Sequence, residues 1–142
     1  MRCLDIGSIR GELKAFGFRK SDLELLSTTA RGYSDLGLAR TYFMAFNPVP
    51  DTPMENKSPT PALRELRLYQ ASFLLRDYGF DLEELPFTTD ENLPLPTDPK
   101  EAWAEIHLKH NPIEMNVAAP HELLRVPGVG PKTVQKIIRA RR

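Results

Sequence analysis

The sequence predicts a mainly α chain, α+β at most, built from several short helices with one or two β-strands. Three stretches carry that expectation. Residues 21–37 open on a capping signal and run at helical spacing to a glycine. Residues 61–79 repeat the pattern over a greater length. Residues 120–141 give two helical runs separated by Val126, Pro127, Gly128, Val129 and Gly130. The 142 residues fit one small domain with an appended module. The expected division is 1–58, a helix and strand region with a proline-rich loop; 59–110, a helical region with an acidic linker; and 111–142, the hairpin module.

Taken in order, Arg2 to Gly7 has the composition of a short strand. Ser8 is placed to cap a helix with Ile9, Leu13 and Phe16 on one face and Gly17 at its end. Ser21, Asp22, Leu23 and Glu24 form a capping box, in which serine reaches the third amide of the helix and glutamate reaches back. Leu26, Ala30 and Tyr33 follow on one face towards Leu36, and Gly37 closes the helix. Residues 40–46 are β-branched, aromatic and nearly continuously apolar, which predicts a strand buried on both faces. Prolines at 48, 50, 53, 59 and 61 then make an irregular connection.

A long helix is expected with Thr60 as cap and Pro61 in its first position. Leu63, Leu66, Tyr69 or Gln70, Phe73, Leu74 and Tyr78 are its predicted apolar stripe, with Arg64, Arg67 and Arg76 along a solvated side. Gly79 supplies a left-handed stop, and Phe80 folds back on Leu75. Residues 81–84 start a short helix that Pro86 ends, and residues 88–97 form an acidic, proline-rich loop. Asp98 caps a further helix carrying Ala102, Trp103 and Ile106, with Trp103 as a core anchor rather than a base-stacking surface.

Lysine plus arginine balance aspartate plus glutamate at 19 each, but unevenly along the chain. Residues 111–142 hold Arg125, Lys132, Lys136, Arg139, Arg141 and Arg142 against Glu114 and Glu122, a net +4 that leaves −4 on the rest. Residues 77–98 hold seven acidic residues and no basic one, which is read as solvated surface. A basic tail on a neutral chain suits a localised phosphate contact, not a protein coated for DNA. Cys3 is the only cysteine, so neither a disulfide framework nor a zinc pattern is available. His107, His110 and His121 lack metal-ligand partners at sensible spacing. No apolar run approaches membrane-spanning length and no leader is evident, so a cytoplasmic protein with no membrane partner is expected.

The hairpin carries the chemistry. Gly128 and Gly130 can adopt positive φ and allow a close approach to the backbone. Pro131 suits the first turn of the following helix. The free amides of that turn, beside Lys132, make an anion site. Successive amides with a nearby lysine match a phosphate oxygen, not a base edge, so binding would not depend on sequence. The expected DNA-binding residues are Gly128, Val129, Gly130, Lys132, Thr133, Lys136 and Arg139, with Arg141 and Arg142 extending the basic face.

These residues resemble the helix-hairpin-helix motif: Leu124, then Val126 to Gly130, then Lys132, with Ile137 and Ile138 closing the core and residues 115–118 as the lead-in. The resemblance implies contact with duplex or branched DNA. It also implies a monovalent cation held by hairpin carbonyls, here those of Val126 and Gly128. Residues 36–53, residues 63–80 and the terminal hairpin, in that order, are similar to the C-terminal part of the radical S-adenosylmethionine family assigned to DNA modification and repair. That likeness covers roughly six-sevenths of the chain. The family carries a barrel-like catalytic domain and a [4Fe–4S] cluster on a Cys-x3-Cys-x2-Cys run. Cys3 cannot supply such a run, so no catalytic residue and no cofactor is expected in this chain.

Three functions follow as expectations. The first is non-sequence-specific DNA binding in repair or modification. The second is a split enzyme in which a separate cluster-binding chain completes a barrel. The third is a protein-interaction module.

Overall fold

The computed structural model describes residues 4–5 and 21–141. The chain is mainly α: α1 (Asp22–Ser34), α2 (Ala62–Asp77), α3 (Pro99–His107), α4 (Pro120–Leu123) and α5 (Pro131–Ala140), with a 3-10 turn at Leu82–Glu84. Two short strands, β1 (Leu4–Asp5) and β2 (Thr41–Tyr42), pair in parallel, Leu4 opposite Thr41 and Asp5 opposite Tyr42. The helix expected over residues 8–17, Cys3 and Arg142 lie outside the described residues.

Helix α1 starts as its sequence predicts, with the Glu24 amide donating to Ser21 Oγ at 3.2 Å. It ends at Ser34, ahead of the predicted Leu36, which is exposed. Its inner face is Asp22, Leu25, Leu26, Thr29 and Gly32, and it packs on α2. Helix α2 starts one residue later than expected, with Pro61 outside it as the N-cap.

The predicted stripe of α2 is corrected by the packing. Leu63, Leu66 and Phe73 are exposed, while Arg67, Leu68, Ala71, Ser72 and Leu74 are buried. The arginines expected on a solvated side explain this rotation of the helix. Arg67 donates to the Leu95 and Pro96 carbonyls at 2.8 and 3.1 Å and to Gln70 Oε1 at 2.8 Å. Arg64 Nε meets the fully buried Asp22 carboxylate at 2.7 Å, and the same carboxylate accepts the Leu93 amide at 3.0 Å. Arg76 pairs with Asp77. Hydrogen bonds that a buried charge must keep have therefore turned the helix. They also pin the acidic loop, whose Leu93 is buried rather than part of a solvated surface.

The strand expected over residues 40–46 shrinks to Thr41–Tyr42, and it is not buried on both faces. Thr41 and Phe43 are buried while Tyr42 and Met44 are exposed. Beyond Tyr42 the extended backbone bonds to side chains of α2. The Tyr69 hydroxyl accepts from the Phe43 amide at 3.0 Å and donates to the Phe43 carbonyl at 2.9 Å, and Glu65 accepts the Ala45 amide. Those groups take the place of a neighbouring strand. The proline-rich connection is closed by the Thr60 amide on the Phe46 carbonyl, 2.8 Å.

Helix α2 stops at Gly79, φ +65, and the Phe80 amide folds back to the Leu74 carbonyl, with Phe80 in the core cluster against which Leu75 packs. Asp98 caps α3 by accepting from the Lys100 and Glu101 amides. Trp103 is buried in the core as expected, edge-on to Phe80 and stacked with His107, whereas Ile106 is exposed. A separate, smaller core of Ala118, Leu123 and Val134 holds α4 and α5 together, flanked by Ile113, Leu124, Val129, Ile137 and Ile138.

Candidate nucleic-acid interface

The link between α4 and α5 is built by residue choice. The Val129 amide donates to the Val126 carbonyl at 3.1 Å, closing a four-residue turn with Pro127 and Gly128 at its centre. Proline fixes φ near −65° in the first central position, and Gly128 at φ +75 takes the second, which defines a type II turn. Gly128 is therefore required for its backbone angle. Gly130 is not: it caps α5 with φ −106 and ψ 175, extended backbone open to any residue, which corrects the expectation of positive φ. Its constraint is space, since a Cβ there would lie 3.2 Å from Tyr78 Oη.

Helix α5 opens with Pro131 in its first turn and no side chain capping it. Its first amides therefore have neither an intrahelical acceptor nor a capping oxygen. Gly128, Lys132, Thr133, Lys136 and Arg139 are exposed, and Lys132, Lys136 and Arg139 recur at helical spacing on one side. Val134 turns inward, with Ile137 and Ile138 half-buried, so the helix is split into a basic outer face and an apolar inner one. The arrangement presents unshielded amides, a hydroxyl and three cations together, a set that can hold one or two tetrahedral anions.

Two other arginines do not join that face. Arg125 donates from Nη2 to the Gly79 carbonyl and to Glu84 Oε2, at 3.1 and 2.9 Å, and lies 3.9 Å from the Phe80 ring centroid. Arg141, expected to extend the basic surface, instead donates to the Ala118 and Met115 carbonyls and locks the lead-in against the end of α5.

The hairpin also meets a residue that sequence reasoning missed. Lys100, on the first turn of α3, is 7 % exposed and donates from Nζ to the Val129 carbonyl at 2.6 Å, with the Tyr78 ring centroid 4.7 Å away. Burial pulls its pKa down from the ordinary lysine value to about 8, against the nearby Asp98 carboxylate, which raises it, while Arg125 lowers it further. Sequence spacing held no signal for this pairing, because 29 residues separate the partners.

The Val129 carbonyl thus already carries a cation, and the Val126 carbonyl accepts the Val129 amide. The monovalent cation expected on the Val126 and Gly128 carbonyls would share Val126 with that amide, and Lys100 holds the carbonyl next in line. Among the described residues, no three His, Cys, Asp or Glu side chains converge on a metal-sized site, and no helix is long and apolar enough to cross a membrane.

Comparison with known proteins finds no family model, no curated protein and no solved structure that matches the chain.

Proposed function

We propose that this chain binds the sugar–phosphate backbone of duplex or branched DNA through the turn and the first turns of α5, without reading sequence. The observation that carries the reading is the exposure of Lys132, Thr133, Lys136 and Arg139 around an uncapped helix start that follows a glycine turn. Amides near Gly130 and Lys132 would donate to the oxygens of one phosphate. The Thr133 hydroxyl adds a donor, and Lys136 and Arg139 supply charge towards the next phosphate. The resemblance to the helix-hairpin-helix motif agrees with this use, and the radical S-adenosylmethionine likeness supports a role in DNA repair or modification; a cytoplasmic setting is part of the proposal.

Partnership with a cluster-binding chain is the second reading. The exposed Tyr42 and Met44 favour it, but the Phe43 and Ala45 amides, which an added strand would need, are engaged by α2. Titration of 15N-labelled protein with a short duplex tests the DNA reading. The Gly130, Lys132, Thr133 and Lys136 amides should shift, and equally for duplexes of unrelated sequence. Shifts confined to α1 or β2, or a strong sequence preference, would count against it.

A further inference from the structure

We infer that the Lys100 ammonium is the internal cation that sets the hairpin in its phosphate-binding shape, making Lys100 a positioning residue for DNA binding. The inference rests on the DNA reading above for its function, and on geometry for its mechanism.

The turn itself has only one backbone hydrogen bond across it, from Val129 to Val126, and α4 before it is a single turn long. Nothing in so short a segment fixes the direction of the Val129–Gly130 peptide. That direction matters, because the same peptide leads into the exposed amides of α5. The 2.6 Å bond from Lys100 Nζ holds the Val129 carbonyl inward, and the peptide's N–H, on Gly130, is thereby directed away from it. Tyr78 completes the seat: its ring faces the ammonium at 4.7 Å, and its hydroxyl lies so near Gly130 that a Cβ there would meet it at 3.2 Å.

The placement of Lys100 also argues for a specific role. It sits in the first turn of α3, where the helix dipole disfavours a cation. It is buried, where desolvation disfavours it again. A lysine kept against both effects needs compensation. The groups that face it are Asp98 and Arg125, the Tyr78 ring, and Arg76 and Asp77 across a shared groove of about 690 Å³. Of these, Asp98 and Tyr78 stabilise the charge directly, and the Val129 carbonyl supplies the hydrogen bond.

A pH signature follows. Above about 8 the folded chain releases the Lys100 proton, while the unfolded chain holds it towards 10.5. Between those values the unfolded state carries more protons, so this group makes folding stability rise with pH. The neutral amine, however, is a weaker donor to Val129, so DNA affinity falls over the same interval. A merely structural lysine would not move the two in opposite directions.

The experiment compares wild type, Lys100→Met and Lys100→Arg for binding to a labelled 20-base-pair duplex at fixed ionic strength. At pH 7, Lys100→Met should lose about tenfold in affinity, and Lys100→Arg should lose less. From pH 7 to 9 the wild type should weaken with a midpoint near 8, and Lys100→Arg should stay flat. Replacing potassium chloride by tetramethylammonium chloride should leave wild-type binding unchanged. Hydrogen exchange at pH 7 supplies an arm independent of DNA: the Val129 amide should exchange faster in Lys100→Met while the Leu68 and Ala71 amides do not. If the wild type binds no duplex, that arm decides alone, and the loss then falls on the DNA reading. Unaltered Val129 exchange, wild-type affinity in Lys100→Met, or a requirement for potassium would overturn the inference.

Discussion

The body and the hairpin module solve the same problem of holding short helices together in opposite ways. In the body, α1 and α2 share a core of Leu25, Leu26, Leu68, Ala71 and Leu74, and a buried carboxylate, Asp22, ties α1, α2 and the 88–97 loop at one point. In the module, the buried core is Ala118, Leu123 and Val134. So small a core cannot hold two helices rigidly by itself. The module is fastened from outside instead, by Lys100 on Val129 and Arg125 on Glu84 and Gly79. The lesson is that rigidity at the candidate binding surface is borrowed from the body through the buried Lys100 and the half-buried Arg125, while Lys132, Lys136 and Arg139 stay exposed.

Substitutions can break or sharpen that contrast. The largest loss is expected for Asp22→Ala, about 4 kcal/mol, because the buried Leu93 amide loses its acceptor and Arg64 its ion-pair partner at the point where α1, α2 and the loop meet. Chemical denaturation should show the midpoint falling for every probe together, and a change confined to the 88–97 loop would deny that Asp22 ties the body. Next comes Leu123→Ala, about 3 kcal/mol. Here native-state hydrogen exchange should show α5 amides opening while α1 and α2 remain protected. Equal opening of both regions would mean that there is a single cooperative core. Gly128→Ala should cost about 1 kcal/mol, since its φ of +75 disfavours any side chain although the space is free. The same two measurements should place that loss in the module. Phe73→Ala should be the smallest, within about 0.5 kcal/mol, because its ring is exposed although it belongs to the stripe that the sequence predicts. A loss near 3 kcal/mol there would restore the predicted stripe.

What the sequence disclosed follows from how local each signal is. Ser21, Gly79, Asp98 and Gly128 act within a few residues of themselves, and their caps and turns stand where the residue types require. The facing of α2 was not legible, because it depends on Asp22, Leu95 and Pro96, which lie far along the chain from Arg64 and Arg67. The apolar run 40–46 misled for a related reason: its partners are Tyr69 and Glu65 on a helix, not a second strand. At the candidate site the exposed cations Lys132, Lys136 and Arg139 could be read directly. The roles of Lys100, Arg125 and Arg141 could not, since composition does not separate a cation that binds a ligand from one that binds a carbonyl.

The central claim is that the exposed face of α5 holds DNA phosphates. Its most direct measurement is fluorescence anisotropy of a labelled duplex across a series of salt concentrations, with wild type and Lys132→Glu. The account predicts weak wild-type binding with a log–log salt slope of about −1 to −2, and a slope reduced in magnitude by about 1 in the variant. Absence of wild-type binding at low salt, or an identical slope and affinity in Lys132→Glu, would contradict it.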